Sequence, residues 1–268
     1  GVSATDTANQ KETALKIYNY INKNIQWNDG YGIGFRNDIA SILKNKSGNS
    51  GELNKLMVAA LNQAGITAFP VLISTRDHGK PLELYPFLDQ FNHLVTLASI
   101  DGKDVWIDLG DKHRPLGMMQ TESLNSRGWL VDQADPVWVD IPAIESKSVF
   151  LIKGSLDAEG QLNGTLEARF TGYHAVAYRQ AAEEEKEKFG QELIMNGPLP
   201  VKISEQEFVN KDDPAAALQF KGKIMNEAIA TATPDKLYLN PVFPNGLDEI
   251  PFKLAERTYP IEMNYSSD

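Results

Sequence analysis

The stretch "KSGNSGELNKLMVAALNQAGITAFPVLIST", residues 46–75, combines a polar turn, an amphipathic helix and a buried strand. Its apolar residues recur at three- and four-residue spacings, as in a helix with one face in a core: Leu53, Leu56, Met57, Ala60, Leu61 and Ala64. Gly65 then occupies the position where a left-handed residue ends many helices. The continuous apolar run "ITAFPVLIST" (66–75) predicts a buried strand. This stretch therefore predicts a core that combines helices with a β-sheet, of the α+β class.

Two helices are predicted on the N-terminal side of this stretch. Residues 7–25 carry one apolar helical face, and the glycine-rich "NDGYGIG" (28–34) ends that helix. Asp38 is a suitable N-cap for a short second helix, because its side chain can accept a hydrogen bond from the first turn.

A hairpin is predicted on the C-terminal side, in "FNHLVTLASIDGKDVWIDLGD" (91–111), with Asp101 and Gly102 as its turn. Facing residues then have numbers that sum to 203. His93 and Asp108 become diagonal neighbours on one face, about 7–8 Å apart between backbones and within hydrogen-bonding reach. A four-residue loop keeps this relationship, whereas a loop with an odd number of residues abolishes it.

Two interpretations of this pair are open. A carboxylate that holds one imidazole nitrogen leaves the other nitrogen as a base, which is the orienting half of a catalytic triad. Alternatively, His93 lies on a sheet face and Asp108 at a strand end, without a joint role. Ser50 also has two interpretations: a helix cap, or a nucleophile at a helix N-terminus, where the electrostatic potential is positive.

The sequence pattern changes from about Glu145 onward, where strand-like segments predominate. "SVFLIKGSLDAEGQLNGTLEARFTG" (148–172) predicts a hairpin, and "LQFKGKI" (218–224) alternates so that Leu218, Phe220 and Ile224 share one face. A helix is predicted over 173–195. The expected domains are therefore 1–143 and 144–268.

Composition excludes several classes of function. The net charge of −10 disfavours nucleic acid and anionic membranes, which bind clustered Lys and Arg. No apolar run approaches the roughly 18–20 residues of a membrane span. Without cysteine there is no disulfide, thiolate metal site or thiol nucleophile. We predict no cofactor, because "GYGIG" (30–34) does not follow a strand and open a helix, as a dinucleotide-binding motif would. We also predict no metal site, since a hairpin would direct its acidic residues to both faces: Asp101, Asp104, Asp108 and Asp111, together with His113.

Three motifs in order, "GNSGELNKLMVAALNQAGI", "FNHLV" and "VWIDLGD", resemble those of the transglutaminase-like superfamily, whose fold is papain-like. The closer resemblance is to multidomain bacterial proteins, and it covers about residues 8–140. In that family a cysteine opens the helix, and a histidine and an aspartate follow on consecutive strands. The matching positions here are Ser50, His93 and Asp108. The second half resembles the β-rich domain that follows such cores, with "RTYPIEM" (257–263) similar to its closing strand.

The resemblance implies a papain-like core followed by a β-sandwich-like domain. Family chemistry implies thiolate attack on an amide or ester carbonyl, so serine at position 50 implies a pseudoenzyme with weak or no activity. Its cleft would bind a peptide, protein or glycan, with Trp27 and Asn92 as substrate contacts. The family also implies a periplasmic or envelope location. Because no signal peptide is visible and an N-terminal domain common in the family is missing, we expect further domains in the full-length protein.

Two alternatives remain open at this point. A Ser–His–Asp hydrolase acting on amides or esters would use Ser50 as a true nucleophile, with His93 as its base. A structural envelope module would use neither residue chemically. The predicted fold is the same whether Ser50 is the natural residue or an engineered replacement.

Overall fold

A computed structural model of the chain describes residues 9–34, 37–132, 134–184, 201–226 and 229–239. The chain divides into two compact units between Ile144 and Glu145, one residue after the division expected from the sequence. Within the described ranges, no helix is long and apolar enough to span a bilayer.

The first unit is a mixture of helices and strands, as expected. Its described helices are α1 (Gln10–Asn24), α2 (Ile39–Asn45) and α3 (Ser50–Gln63). Its described strands are β1 (Gln26–Trp27), β2 (Ser47–Gly48), β3 (Ala68–Ile73), β4 (His93–Ile100), β5 (Lys103–Ile107), β6 (Arg127–Leu130) and β7 (Val137–Asp140). Five strands form one sheet in the order β5-β4-β3-β6-β7, in which all neighbours are antiparallel. Strands β1 and β2 pair in parallel.

The core of the first unit forms where α1 and α3 pack against the strands. The apolar face predicted for each helix lies in this core, together with side chains of β3, β4 and β5: Ala14, Tyr18, Ile21, Leu53, Met57, Leu61, Ala68, Ala98, Ile100 and Ile107. Helix α3 ends at the predicted place, since Gly65 has the left-handed φ of +79°. Asp38 caps α2 as predicted, accepting a hydrogen bond from the Ser41 amide.

The predicted hairpin register is confirmed. Thr96 pairs with Ile107, and Ile100 pairs with Lys103 at the other end of the ladder, so facing residues sum to 203. Asp101 and Gly102 form the two-residue turn, and both have positive φ, +52° and +73°, which a type I′ turn requires. The loop therefore has the parity that places His93 and Asp108 on one face.

The second unit is built around one antiparallel sheet in the order β10-β11-β9-β8. Its described elements are β8 (Ser148–Leu156), β9 (Leu162–Phe170), α4 (Gly172–Glu184), β10 (Val201–Val209), β11 (Leu218–Asn226), β12 (Ala230–Ala232) and β13 (Leu237–Leu239). The predicted one-sided pattern of β11 is confirmed, because Leu218, Phe220 and Ile224 are all buried. They join Phe170 of β9 and Ala175 of α4 in one cluster.

Two expectations for the second unit reach outside the described residues. The helix predicted over 173–195 is observed to Glu184, and residues beyond that point are not described. The "RTYPIEM" segment (257–263) is likewise outside them. The β-sandwich-like architecture therefore stays a prediction.

Candidate active site

His93 and Asp108, two of the three residues of the predicted triad, are in direct contact. His93 is the first residue of β4 and Asp108 directly follows β5. The His93 Nε2 to Asp108 Oδ1 distance is 3.1 Å, and both side chains have no exposed surface. The structure thus brings together the two residues whose proximity the hairpin predicted.

The second carboxylate oxygen of Asp108 is held by groups from the loop after β5. Oδ2 accepts hydrogen bonds from the Gln120 amide at 3.0 Å and from Ser123 Oγ at 3.2 Å, and Arg114 Nη1 lies 3.5 Å away. Burial raises the pKa of Asp108, but the charges of His93 and Arg114 and the hydrogen bonds outweigh it and lower the pKa to about 2. Asp108 is therefore a fixed, ionised orienting group for His93.

Ser50 is the first residue of α3, and the cap is its neighbour Asn49. Asn49 Oδ1 accepts a hydrogen bond from the Glu52 amide, and the Glu52 carboxylate accepts one from the Asn49 amide at 2.8 Å. This reciprocal pair is a capping box. The interpretation of Ser50 as the cap is therefore wrong, because Asn49 is also a preferred capping type and has a glutamate three residues later.

The side chain of Asn54 ties the start of α3 to the two strands. Its Nδ2 donates to the Ser50 carbonyl at 3.0 Å and its Oδ1 accepts from the Leu109 amide at 3.2 Å. The Asn54 carbonyl accepts a hydrogen bond from Thr96 Oγ1. Asn54 is fully buried and links Ser50 to the residue that follows Asp108.

Residues 30–32, part of the predicted helix-breaking loop, contact both Ser50 and His93. The Gly32 amide donates to Ser50 Oγ at 3.1 Å, and the Tyr31 ring meets the His93 ring edge-on with centroids 5.3 Å apart. Burial raises the pKa of Tyr31 to about 12, so its hydroxyl stays protonated. Ser50 and the His93–Asp108 pair therefore meet one short stretch of backbone.

The base and the hydroxyl are not hydrogen bonded to each other. His93 Nδ1 is buried and has no hydrogen-bond partner among the described residues, while Ser50 Oγ accepts from Gly32. Ser50 itself is 1% exposed. The arrangement has an oriented imidazole with one nitrogen available, which is what a general base needs.

The two predicted substrate contacts lie in different surroundings. Trp27 is half-buried, and its ring lies 5.4 Å from the Tyr31 ring between centroids, tilted by 59°. It lines a cleft of about 590 Å³ together with Asn22, Gln26, Lys46, Gly110 and His113. Both polar groups of the Asn92 side chain bind Thr75, at 2.9 and 2.7 Å. Asn92 thus holds the loop after β3, and its contact with a substrate stays a prediction.

Several residues of the site were not foreseen from the sequence. Arg114, Gln120 and Ser123 come from a loop whose sequence has no periodicity that would direct them to Asp108. The Asn49–Glu52 box does have a signal, an asparagine three residues before a glutamate ahead of an apolar face. In the part of the chain that is described, no group of three or more His, Cys, Asp or Glu side chains is placed to hold a metal ion.

Comparison with known proteins finds one family model that matches the part of the chain that carries this site. Residues 2–110 match the family model described as the transglutaminase-like superfamily, and Ser50, His93 and Asp108 all lie in that span. Among solved structures, the chain matches a "putative protease" from Parabacteroides distasonis ATCC 8503 with 12% identity and a TM-score of 0.35, over 82% of this chain and 46% of that one. The chain thus spans about half the length of that protein. No curated protein matches it.

Proposed function

Because residues 2–110 of this chain match the family model of the transglutaminase-like superfamily, we propose that Ser50, His93 and Asp108 are the remains of an acyl-transfer site with little or no bond-breaking activity. The role proposed for the core is to bind a peptide, protein or glycan in the cleft of that site. The cell envelope or periplasm is the location that goes with this proposal.

The observation that carries the proposal is that the His93 imidazole and the Ser50 hydroxyl are not hydrogen bonded to each other. A serine must lose its proton to the base during attack, so Ser50 Oγ needs His93 Nδ1 as its partner. In the structure, Ser50 Oγ accepts a hydrogen bond from the Gly32 amide but donates none to His93 Nδ1, which has no partner within the described ranges. The serine is thus present without being activated.

Electrostatics at the helix N-terminus does not replace the base. A favourable helix dipole contributes at most about 2 kcal/mol, or roughly 1.5 pKa units at 1.36 kcal/mol each. That is enough to matter for a thiol with a pKa of ~8.5, but it leaves a serine hydroxyl protonated at neutral pH. The site therefore suits sulfur far better than oxygen.

A second candidate function is a serine hydrolase that uses the same residues. It is favoured by the His93–Asp108 pair, which is already oriented and leaves Nδ1 available. Catalytic hydrogen bonds can form only when substrate binds. In this alternative, substrate binding brings the Ser50 hydroxyl into hydrogen-bonding contact with His93 Nδ1.

Labelling with a fluorophosphonate separates the two candidates. Intact-mass measurement of the wild-type chain and of Ser50→Ala, each incubated with the probe at neutral pH, shows whether position 50 reacts. The proposal expects the same negligible labelling in both. Rapid labelling of wild type that Ser50→Ala and His93→Asn both abolish would establish the hydrolase and overturn the proposal.

A further inference from the structure

Residues 82–89, in the loop between β3 and β4, are all exposed to solvent. Most of these side chains are large and apolar, and five of them are more than half exposed: Leu82 57%, Leu84 75%, Tyr85 68%, Phe87 54% and Leu88 62%. Together they present on the order of 400 Å² of apolar surface, since a fully exposed aromatic side chain has about 200 Å² and a leucine about 100 Å². An apolar patch of that size on a soluble protein is often functional.

Contacts that tie this loop to itself and to β6 and β7 hold its backbone in place. The Leu82 amide donates to Gln90 Oε1 at 2.8 Å, and the Glu83 carbonyl accepts from the Trp138 indole Nε1–H at 3.1 Å. The Glu83 carboxylate also pairs with Arg127. The fold therefore presents the five apolar side chains from a defined backbone.

The end of the loop is buried, in contrast to its middle. Phe91 is 6% exposed, and its ring centroid lies 5.9 Å from that of Trp138, in a cluster with Leu72, Leu94 and Trp129. The exposed apolar side chains are therefore additional to the one that anchors the loop in the first unit.

The charged residues of this region are predominantly acidic. Residues 76–90 contain three carboxylates and two cationic side chains. Residues 127–140, which contact the loop through Glu83, contain three carboxylates and one cation, Arg127. With histidine neutral, the two segments together carry a net charge of −3. The apolar surface therefore lies in negatively charged surroundings.

Two kinds of occupant fit this surface poorly. A second copy of the chain would bring two negatively charged regions together, which is unfavourable. Two patches of about 400 Å² would also bury only about 800 Å² in total, short of the roughly 1,200–2,000 Å² of a stable interface. An anionic membrane is repelled in the same way, because acidic residues outnumber the lysine and arginine residues that would bind it.

We propose that the loop of residues 82–88 is a docking surface for a polypeptide segment that combines large apolar side chains with lysine or arginine. The apolar side chains of the partner cover the leucines and aromatic rings, and its cations pair with the surrounding carboxylates. This surface is formed by residues other than Ser50, His93 and Asp108, so the proposal stands whether or not those residues break bonds.

Fluorescence anisotropy with defined peptides tests the surface in the complete 268-residue chain. The probe is fluorescein-Lys-Leu-Leu-Lys-Phe-Leu-Leu-Lys-amide. One matched peptide replaces every lysine by glutamate, and the other replaces every leucine and phenylalanine by serine. The variant Leu84→Ser/Phe87→Ser removes two of the exposed apolar side chains. Val149→Ser/Leu151→Ser is the matched control, since these side chains of β8 are 55% and 46% exposed.

The probe should bind the wild-type chain, and Leu84→Ser/Phe87→Ser should weaken its binding at least about tenfold. Val149→Ser/Leu151→Ser should leave the affinity unchanged, and both matched peptides should bind wild type at least about tenfold more weakly than the probe does. Circular dichroism checks that the variants keep the fold. No measurable binding of the probe to wild type, or equal affinity of wild type and Leu84→Ser/Phe87→Ser, would overturn the proposal.

The contribution of charge is tested by Asp89→Asn/Asp135→Asn, which removes two exposed carboxylates of the region. This variant should reduce the preference for the basic peptide over the acidic one, and more so at low salt, where charges are screened less. Equal affinity of the wild-type chain for the basic and the acidic peptide would overturn the assignment of a basic partner.

Two further measurements address the other occupants. Sedimentation equilibrium detects a dimer, and flotation with phosphatidylcholine vesicles detects binding to a neutral lipid surface. The proposal expects neither to depend on residues 84 and 87. Dimerisation or vesicle binding that Leu84→Ser/Phe87→Ser abolishes and Val149→Ser/Leu151→Ser retains would assign the surface to a second copy or to lipid, and would overturn the proposal.

Discussion

His93 and Asp108 are joined by a 3.1 Å contact between Nε2 and Oδ1 across fifteen residues of sequence, and neither side chain is exposed to solvent. The register of the hairpin that connects them places both residues on one face, and the contact uses Nε2 of the imidazole. His93 Nδ1 is consequently the nitrogen left for chemistry.

Replacing Asp108 by asparagine should lower stability in a pH-dependent way. The pKa of Asp108 is depressed, from 3.8 to about 2. Its ionisation therefore stabilises the fold above the unfolded-state pKa, and this contribution is lost as pH falls through the folded-state pKa. Wild type should exceed Asp108→Asn by on the order of 2 kcal/mol at pH 6.

Urea unfolding followed by tryptophan fluorescence measures this difference in the first unit alone, since all four tryptophans precede residue 145. The gap between the two proteins should narrow from about pH 4 to pH 2. A gap that stays constant over that range would show that the Asp108 charge does not stabilise the fold.

Removing the cap of α3 should destabilise the first unit. Asn49→Ala eliminates the acceptor for the Glu52 amide and should lower the unfolding free energy by about 1–2 kcal/mol, at the upper end for caps because the site is buried. Asn9→Ala is the matched control, since Asn9 caps α1 in the same way at an exposed position. An equal loss in both variants would argue against the importance of the buried box.

Asn54→Ala should have a larger effect than the same change later in the helix. It removes the bridge between the Ser50 carbonyl and the Leu109 amide and leaves both buried groups without that partner, which costs about 1–3 kcal/mol. Asn62 makes two similar hydrogen bonds to Ala68 but is exposed, so water can replace them in Asn62→Ala. The same fluorescence-detected urea unfolding would compare them, and equal losses would contradict the bridge.

Arg179→Ala should destabilise the second unit. The guanidinium is 1% exposed, and its Nη2 donates to the carbonyls of Asn210, Asp213 and Ala216. Losing a charged donor to buried acceptors should cost about 3 kcal/mol. Far-UV circular dichroism should report this loss while the tryptophan-detected transition stays the same, and Arg169→Ala on an exposed position of β9 serves as control.

The contact between His93 and Asp108 was predictable because it depends on short stretches of sequence. Asp101-Gly102 indicates a two-residue turn, and once the turn is known the strand period places His93 and Asp108 on one face. The apolar faces of α1 and α3 were predictable for the same reason. Periodicity and turn chemistry are properties of short stretches of sequence.

The remainder of the site could not be predicted, because it depends on the conformation of loops and on which of two adjacent residues caps a helix. Arg114, Gln120 and Ser123 reach Asp108 from a segment with no repeating pattern. Asn49 and Ser50 are adjacent and both suit a cap, and only the reciprocal bond with Glu52 decides between them. Asn92 is polar beside the predicted base, yet its amide binds Thr75.

The central claim is that position 50 is the nucleophile position of an acyl-transfer site. Its most direct test is the pH dependence of iodoacetamide alkylation in Ser50→Cys, with Ser50→Cys/His93→Asn as the matched control. The helix N-terminus and His93 should lower the thiol pKa to about 7 or below from ~8.5, so the rate should already be at its plateau near pH 8, and the control should move the midpoint upward. A midpoint at or above 8.5 in both proteins would contradict the claim.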